Sequence, residues 1–238
     1  YEIMPSLVGS EMCIRDSYKI ASFEITDIPL IEYAASKHKP MVLATGIATE
    51  EDIQLAVEAC RRMGNNDITV LKCTSSYPAP VEEANLCMIR DLAERFQVKS
   101  GLSDHTLGSV SPIVAVTQGA SMIEKHFILN RSIGGPDCSF SMEEKDFAQM
   151  VKDVRMAELS LGKTTYELTE KMRGSRSASR SLYVAEDMKA GEVITERNVR
   201  SVRPGFGLHP KYLKDILGKN VNRDLEKGTR FALEYVNG

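Results

Sequence analysis

The stretch PMVLATGIATEEDIQLAVEACRRMG, residues 40–64, holds the pattern from which the fold is read. Its first six residues, 40–45, form a short apolar run of the kind that makes a strand buried on both faces. From Thr49 the spacing changes, and Ile53, Ala56, Val57 and Cys60 fall on one stripe of a helix. Thr49 is a good N-cap, and Glu50, Glu51 and Asp52 complement the positive end of the first turn. Gly64 ends the helix. A buried strand followed by an amphipathic helix is the repeating unit of an α/β protein.

Four further runs have the same strand character: YKIAS (18–22), ITVLKCT (68–74), KSGLSDH (99–105) and MIEKHFI (122–128). The spacing predicts two more helices, over 81–96 and 143–161. Five such units in series imply parallel strands joined by right-handed crossovers. An eightfold barrel is the parent architecture, and five units are too few to close one. An open doubly wound sheet is the alternative, but no glycine-rich phosphate loop follows any of the strands. Polar side chains gather instead at the strand C-termini: Ser22 and Glu24, Thr45, Thr74 to Tyr77, Ser103 to His105, and His126. That placement suits a barrel whose working face is built from strand ends. The expected fold is therefore α/β, a partial (β/α)8 TIM barrel over residues 18–162.

The rest of the chain reads differently. Residues 1–17 carry no sustained period, and MPSLVGSEMCIRDS resembles a translated sequencing adapter, so the segment is expected to be non-native. Residues 163–180 are polar, run through KMRGSRSASR, and are expected to be a linker. Residues 181–238 promise short strands and tight turns. They contain an internal echo, DMKAG at 187–191 and DLEKG at 224–228, which suggests a small pseudo-symmetric β domain. A net charge of −3 argues against nucleic-acid binding, and no apolar run reaches the ~20 residues that span a bilayer. Five cysteines, odd in number and without metal-type pairing, read as reduced thiols, and a cytoplasmic protein is expected.

Four groups carry candidate chemistry. His105 in GLSDHT and His126 in EKHF sit at successive strand ends, where adjacent strands lie ~4.8 Å apart. Two imidazoles there either converge on one borderline divalent ion such as manganese or are unrelated. Lys19 lies inside a buried strand with Ser22 and Glu24 beyond it. It either neutralises a bound phosphate or carboxylate or is paired within the protein. TSSYPAP, residues 74–80, offers hydroxyls and Tyr77 on a proline-fixed turn. SIGGPDCSFS, residues 132–141, either presents Asp137 to a sugar or is merely a turn.

Taken in order, YKIASFE, VLATG, KCTSSYPAP, GLSDHT, EKHF and GGPD make residues 18–238 resemble the sialic acid synthase family. Members carry a phosphoenolpyruvate-binding barrel followed by a small antifreeze-like (SAF) β domain. KIASFEITDIPLI, CTSSYPAP, GGPDCSFS and RPGFGLHP resemble the pseudaminic acid branch, with the neuraminic and legionaminic branches close by. The resemblance implies His105 and His126 as ligands of a divalent metal, Mn2+ or Mg2+. It implies Lys19, Ser22, Ser75 and Ser103 around phosphoenolpyruvate, and Glu24, Tyr77 and Asp137 near an amino-sugar aldehyde. Of these, Glu24, His105 and His126 are the expected catalytic residues. Arg203 in VRPGFG matches the small-domain arginine that reaches the partner subunit's site, which implies a domain-swapped homodimer. The implied reaction joins phosphoenolpyruvate to the sugar and releases a nine-carbon 2-keto acid and phosphate. The family barrel begins with about three further units that are not in this sequence, so the 238 residues alone are expected to be a truncated, poorly active form. A Schiff-base aldolase built on Lys19 is a rival reading that leaves both histidines idle. A non-catalytic sugar-binding protein and an inactive fragment are the alternatives of a different class.

Overall fold

A computed structural model describes residues 16–237. Most of the segment expected to be non-native, including Cys13, lies outside the described residues. The chain divides into two compact units after Lys163.

The first unit alternates strand and helix: β1 (Tyr18–Ile20), α1 (Ile28–Ala35), β2 (Met41–Ala44), α2 (Glu50–Arg62), β3 (Ile68–Cys73), α3 (Met88–Phe96), β4 (Lys99–Asp104), α4 (Val110–Thr117), β5 (Met122–Lys125) and α5 (Glu144–Leu161). The five strands pair in chain order, and every pairing is parallel. A doubly wound sheet reverses its strand order at a switch point, and none occurs here. The sheet is the curled half-barrel expected from five successive units.

Ile20, Met41, Leu43, Ile68 and Val70 of the strands pack on Ile31, Ala34, Ile53, Ala56, Val57, Cys60, Leu92 and Phe96 of α1, α2 and α3. Helix α2 begins with a full capping box: Thr49 Oγ1 accepts from the Asp52 amide, and the Asp52 carboxylate accepts from the Thr49 amide. Such a first turn fixes where the helix starts and hence where the loop after β2 ends.

The helix expected over 81–96 is shorter than its pattern. Residues Val81–Glu83 form a single 3-10 turn, and α3 starts only at Met88. Asn85 lies between them at φ +44°, a left-handed conformation that asparagine tolerates but a helix cannot contain. The runs at 99–105 and 122–128 also end early, at Asp104 and Lys125, so both histidines lie just past their strands.

The second unit holds α6 (Glu170–Ser175), the antiparallel pair β6 (Ser181–Val184) and β7 (Val199–Val202), and α7 (Leu213–Ile216). Leu182, Val184, Met188, Ile194, Val199, Ile216, Val221, Leu225 and Phe231 form its own core. The sequence echo is a reciprocal structure. Met188 and Leu225 exchange backbone hydrogen bonds of 2.8 and 2.9 Å. Asp224 accepts from the Ala190 amide at 2.9 Å, and Asp187 accepts from the Lys227 amide at 2.7 Å. Each repeat closes on a glycine, Gly191 at φ +86° and Gly228 at φ +89°, where a side chain would be strained. No helix among the described residues is long and apolar enough to cross a membrane.

Candidate active site

The C-terminal ends of β3, β4 and β5 bring three aromatic rings together. The centroids of His105 and His126 are 5.2 Å apart, and the Tyr77 ring lies 4.2 Å from His105 and 6.0 Å from His126. Phe140 closes one side, 4.9 Å from His126. Asp137 Oδ2 stands 3.8 Å from His126 Nδ1. The loop over 132–141 thus returns to the strand ends.

His105 has a defined tautomer. Its Nδ1 lies 2.8 Å from the Thr74 carbonyl oxygen. A carbonyl only accepts, so Nδ1 carries a proton, and in the neutral ring Nε2 is the nitrogen with the lone pair. Metal-binding histidines are ordinarily oriented in this way. Burial pulls the His105 pKa down, but hydrogen bonds to Cys73 and to the Thr74 carbonyl outweigh it and leave the value raised. Burial and the neighbouring charge of His105 hold His126 below its ordinary value. The Cys73 thiol, 3.9 Å from His105 Nδ1, is pushed up by burial but drawn down to about 7, chiefly by its hydrogen bond to that ring.

Beside the rings lies a charged cluster. Lys19 Nζ donates to both oxygens of Glu124 at 2.8 Å, and Ser103 Oγ donates to Glu124 Oε1 at 2.7 Å. Burial raises the Glu124 pKa, but the charge and hydrogen bond of Lys19, the hydrogen bond from Ser103 and the charge of His105 together outweigh it and leave the value lowered. Lys19 is therefore paired within the protein. Ser22 Oγ accepts from the Gly46 amide at 3.0 Å. Ser75 Oγ is buried with no hydrogen-bond partner. A β-carbon on Gly46 would collide with Ser75 Oγ and crowd Ser22 Oγ and Cys73 Sγ, so the backbone approaches these groups closely only because residue 46 is glycine.

Of the residues singled out by sequence, His105, His126, Tyr77 and Asp137 meet at the rings, Lys19 and Ser103 meet on Glu124, and Ser22 and Ser75 meet around Gly46. Glu24 lies in the 3-10 turn Ser22–Glu24, and its carboxylate has no hydrogen-bond or ion-pair partner among the described residues. Arg203 is exposed in the second unit, before a cis proline. Sequence reasoning missed Glu124, Cys73, Phe140 and the buried pair Asp104–Lys125. For Glu124, Asp104 and Lys125 the signal was present: charged residues inside runs read as buried strands require partners.

The two imidazoles fit as donors to one divalent ion, with the His105 tautomer already set. Among the described residues, no group of three or more histidine, cysteine, aspartate or glutamate side chains converges on a metal position.

A model of the NeuB family matches residues 11–166, and a model of the SAF domain matches residues 179–230. The chain is 50% identical over 220 residues to the pseudaminic acid synthase of Helicobacter pylori, covering 92% of this chain and 65% of that protein. It is 46% identical over 212 residues to the pseudaminic acid synthase of Campylobacter jejuni (serotype O:23/36), covering 89% of this chain and 62% of that one. The chain thus spans somewhat less than two thirds of the length of these relatives. Among solved structures, the spore coat polysaccharide biosynthesis protein spsE of Bacillus subtilis superposes with a TM-score of 0.60 at 31% identity, covering 93% of this chain and 68% of that one.

Proposed function

The chain belongs to the NeuB family, and from that premise we propose that it forms part of the active site of a synthase joining phosphoenolpyruvate to an amino-sugar aldehyde. The product is a nine-carbon 2-keto sugar acid, pseudaminic acid, with phosphate released. The observation that carries this reading is the meeting of His105, His126 and Tyr77 beside the Lys19–Glu124–Ser103 cluster, in a chain half identical to a pseudaminic acid synthase.

Lys19, Ser22, Ser75 and Ser103 hold phosphoenolpyruvate. The Ser75 hydroxyl, buried and without a partner, has its proton free for an anionic oxygen. Lys19 supplies positive charge, and Glu124 holds its ammonium in place. His105 and His126 would hold a divalent metal, Mn2+ or Mg2+, whose chemistry when bound is to polarise an aldehyde oxygen. Tyr77, Asp137 and Glu24 face the sugar. Fixing two substrates in line can remove about 7–11 kcal/mol from the barrier. The methylene carbon of phosphoenolpyruvate forms a bond to the aldehyde carbon, whose oxygen takes a proton. Water adds at the former enol carbon, and cleavage of its bond to the bridging oxygen releases phosphate and leaves the 2-keto acid. Glu24 assists proton transfer. The working protein is a cytoplasmic, domain-swapped homodimer in which Arg203 serves the site of the other subunit.

The test is phosphate release by the protein that carries this chain, with phosphoenolpyruvate, Mn2+ and one of three sugars. These are 2,4-diacetamido-2,4,6-trideoxy-altrose, its mannose-type counterpart and N-acetylmannosamine. Metal-dependent release that prefers the altrose sugar supports the proposal. Preference for another sugar moves the assignment to the legionaminic or neuraminic branch. Absence of release with all three, from folded protein, overturns it.

A further inference from the structure

Strands β4 and β5 end in two successive rungs, with the two histidines just past them. Ser103 and Glu124 are Cα partners and share a hydrogen bond of 2.7 Å. Asp104 and Lys125 are the next partners, joined by an ion pair of 2.6 Å. His105 and His126 follow, with ring centroids 5.2 Å apart. Side chains alternate across a strand. Ser103 and Glu124 therefore share the face on which Lys19 meets Glu124, and the Asp104–Lys125 pair points to the opposite face.

That pair is out of water, with both side chains 1% exposed. A buried ion pair is rarely more stabilising than an apolar pair of the same volume, so stability does not explain its presence. Its hydrogen bonds do. Lys125 Nζ donates to the Thr106 carbonyl at 2.6 Å, and Asp104 Oδ1 accepts from the Thr106 amide at 2.9 Å. Thr106 is held in turn by a 3.0 Å hydrogen bond between its hydroxyl and that of Ser111 in α4. Lys125, the chain neighbour of His126, thus grips both residues that flank His105. An apolar pair would fill the space without holding that backbone.

We propose that Asp104 and Lys125 are positioning residues that hold the imidazoles of His105 and His126 at the spacing needed to serve one divalent ion. The proposal rests on the reading of those histidines as metal donors. Asp104 and Lys125 touch neither ion nor substrate. They act through the backbone on either side of the rings.

The test uses the protein that carries this chain, in wild-type, K125M and D104L/K125M forms. The double variant removes both charges and so leaves no orphaned ion. Mn2+ affinity is read by electron paramagnetic resonance, fold by circular dichroism, and ring proximity by the histidine ring-to-ring nuclear Overhauser effect in metal-free protein. The expected result is folded double variant with about 10–100-fold weaker Mn2+ binding and a lost or weakened ring-to-ring signal. Wild-type protein that binds no Mn2+ would overturn the metal reading. The ring-to-ring signal, present in wild type and lost in the variant, would then still support the positioning role. A folded double variant with wild-type affinity and an unchanged ring signal overturns the proposal. So does failure of both variants to fold, because the pair would then be a requirement of the fold.

Discussion

The Ser75 hydroxyl is buried and makes no hydrogen bond, a state that costs about 1–3 kcal/mol relative to a satisfied group. A cost of that kind is tolerated where a ligand later supplies the partner. Ser75→Ala should therefore stabilise the ligand-free protein by about 1 kcal/mol and weaken phosphoenolpyruvate binding. Urea unfolding and a binding titration read the two effects, and a variant that lost stability would show the hydroxyl to be satisfied in solution. Several residues of the candidate site were legible in the sequence: His105 and His126 by their type and strand-end position, Tyr77 by its proline-fixed turn, and Ser103 through the family resemblance. Glu124, Asp104 and Lys125 were not recognised, because in EKHF and SDHT they read as flanks of the histidines. Their importance lies in which side chain faces which across β4 and β5, and a single sequence does not display that pairing.

At the scale of elements, α2 was readable almost to the residue because Thr49 and Asp52 announce its start. Thr49→Ala should cost about 1 kcal/mol, measured as a lowered urea midpoint. The Thr49 hydroxyl and amide hold the Asp52 carboxyl below its ordinary 3.8. A depressed folded pKa contributes stability that is complete above the ordinary value and is lost as pH falls through the folded one. The wild-type midpoint should thus fall across that acid window more steeply than the Thr49→Ala midpoint. Parallel pH profiles would show that the capping box does not persist in solution. The segment 81–96 was read as one helix because its apolar spacing continues through Asn85, and a left-handed backbone leaves no trace in that spacing. Gly101 is a similar case. In the sequence it interrupts a strand, whereas in the structure a β-carbon there would collide with the Met122 carbonyl oxygen of β5. Gly101→Ala should destabilise by about 1–3 kcal/mol through overpacking. On the proposed reading of His105 and His126 as metal donors it should also weaken Mn2+ binding, since it forces apart the two strands that these histidines follow. Unchanged melting and metal affinity would mean that β4 and β5 are not held as closely as described.

At the scale of the whole molecule, the order β1-β2-β3-β4-β5 leaves its two outer strands paired on one side only among the described residues. A sheet edge offers a row of unpaired amides and carbonyls to any other strand. The two edges differ. β1 carries Lys19, a charge of the sort that discourages pairing, but that lysine is turned onto Glu124. β5 begins with Met122, which is 38% exposed, and Val116, Ala120, Ile123, Phe147 and Met150 line an apolar groove beside it. Apolar surface next to an edge that no described strand covers favours growth by strand addition over a closed dimer. The 238-residue chain by itself should therefore sediment as a concentration-dependent distribution extending beyond a dimer. Met122→Lys should shift that distribution toward smaller species by placing a charge at the edge. A chain that stays monomeric or strictly dimeric at all concentrations would mean that the β5 edge is covered. The alternation that gives β5 its Glu124 and Lys125 would then have to be satisfied together with a further strand on its outer side.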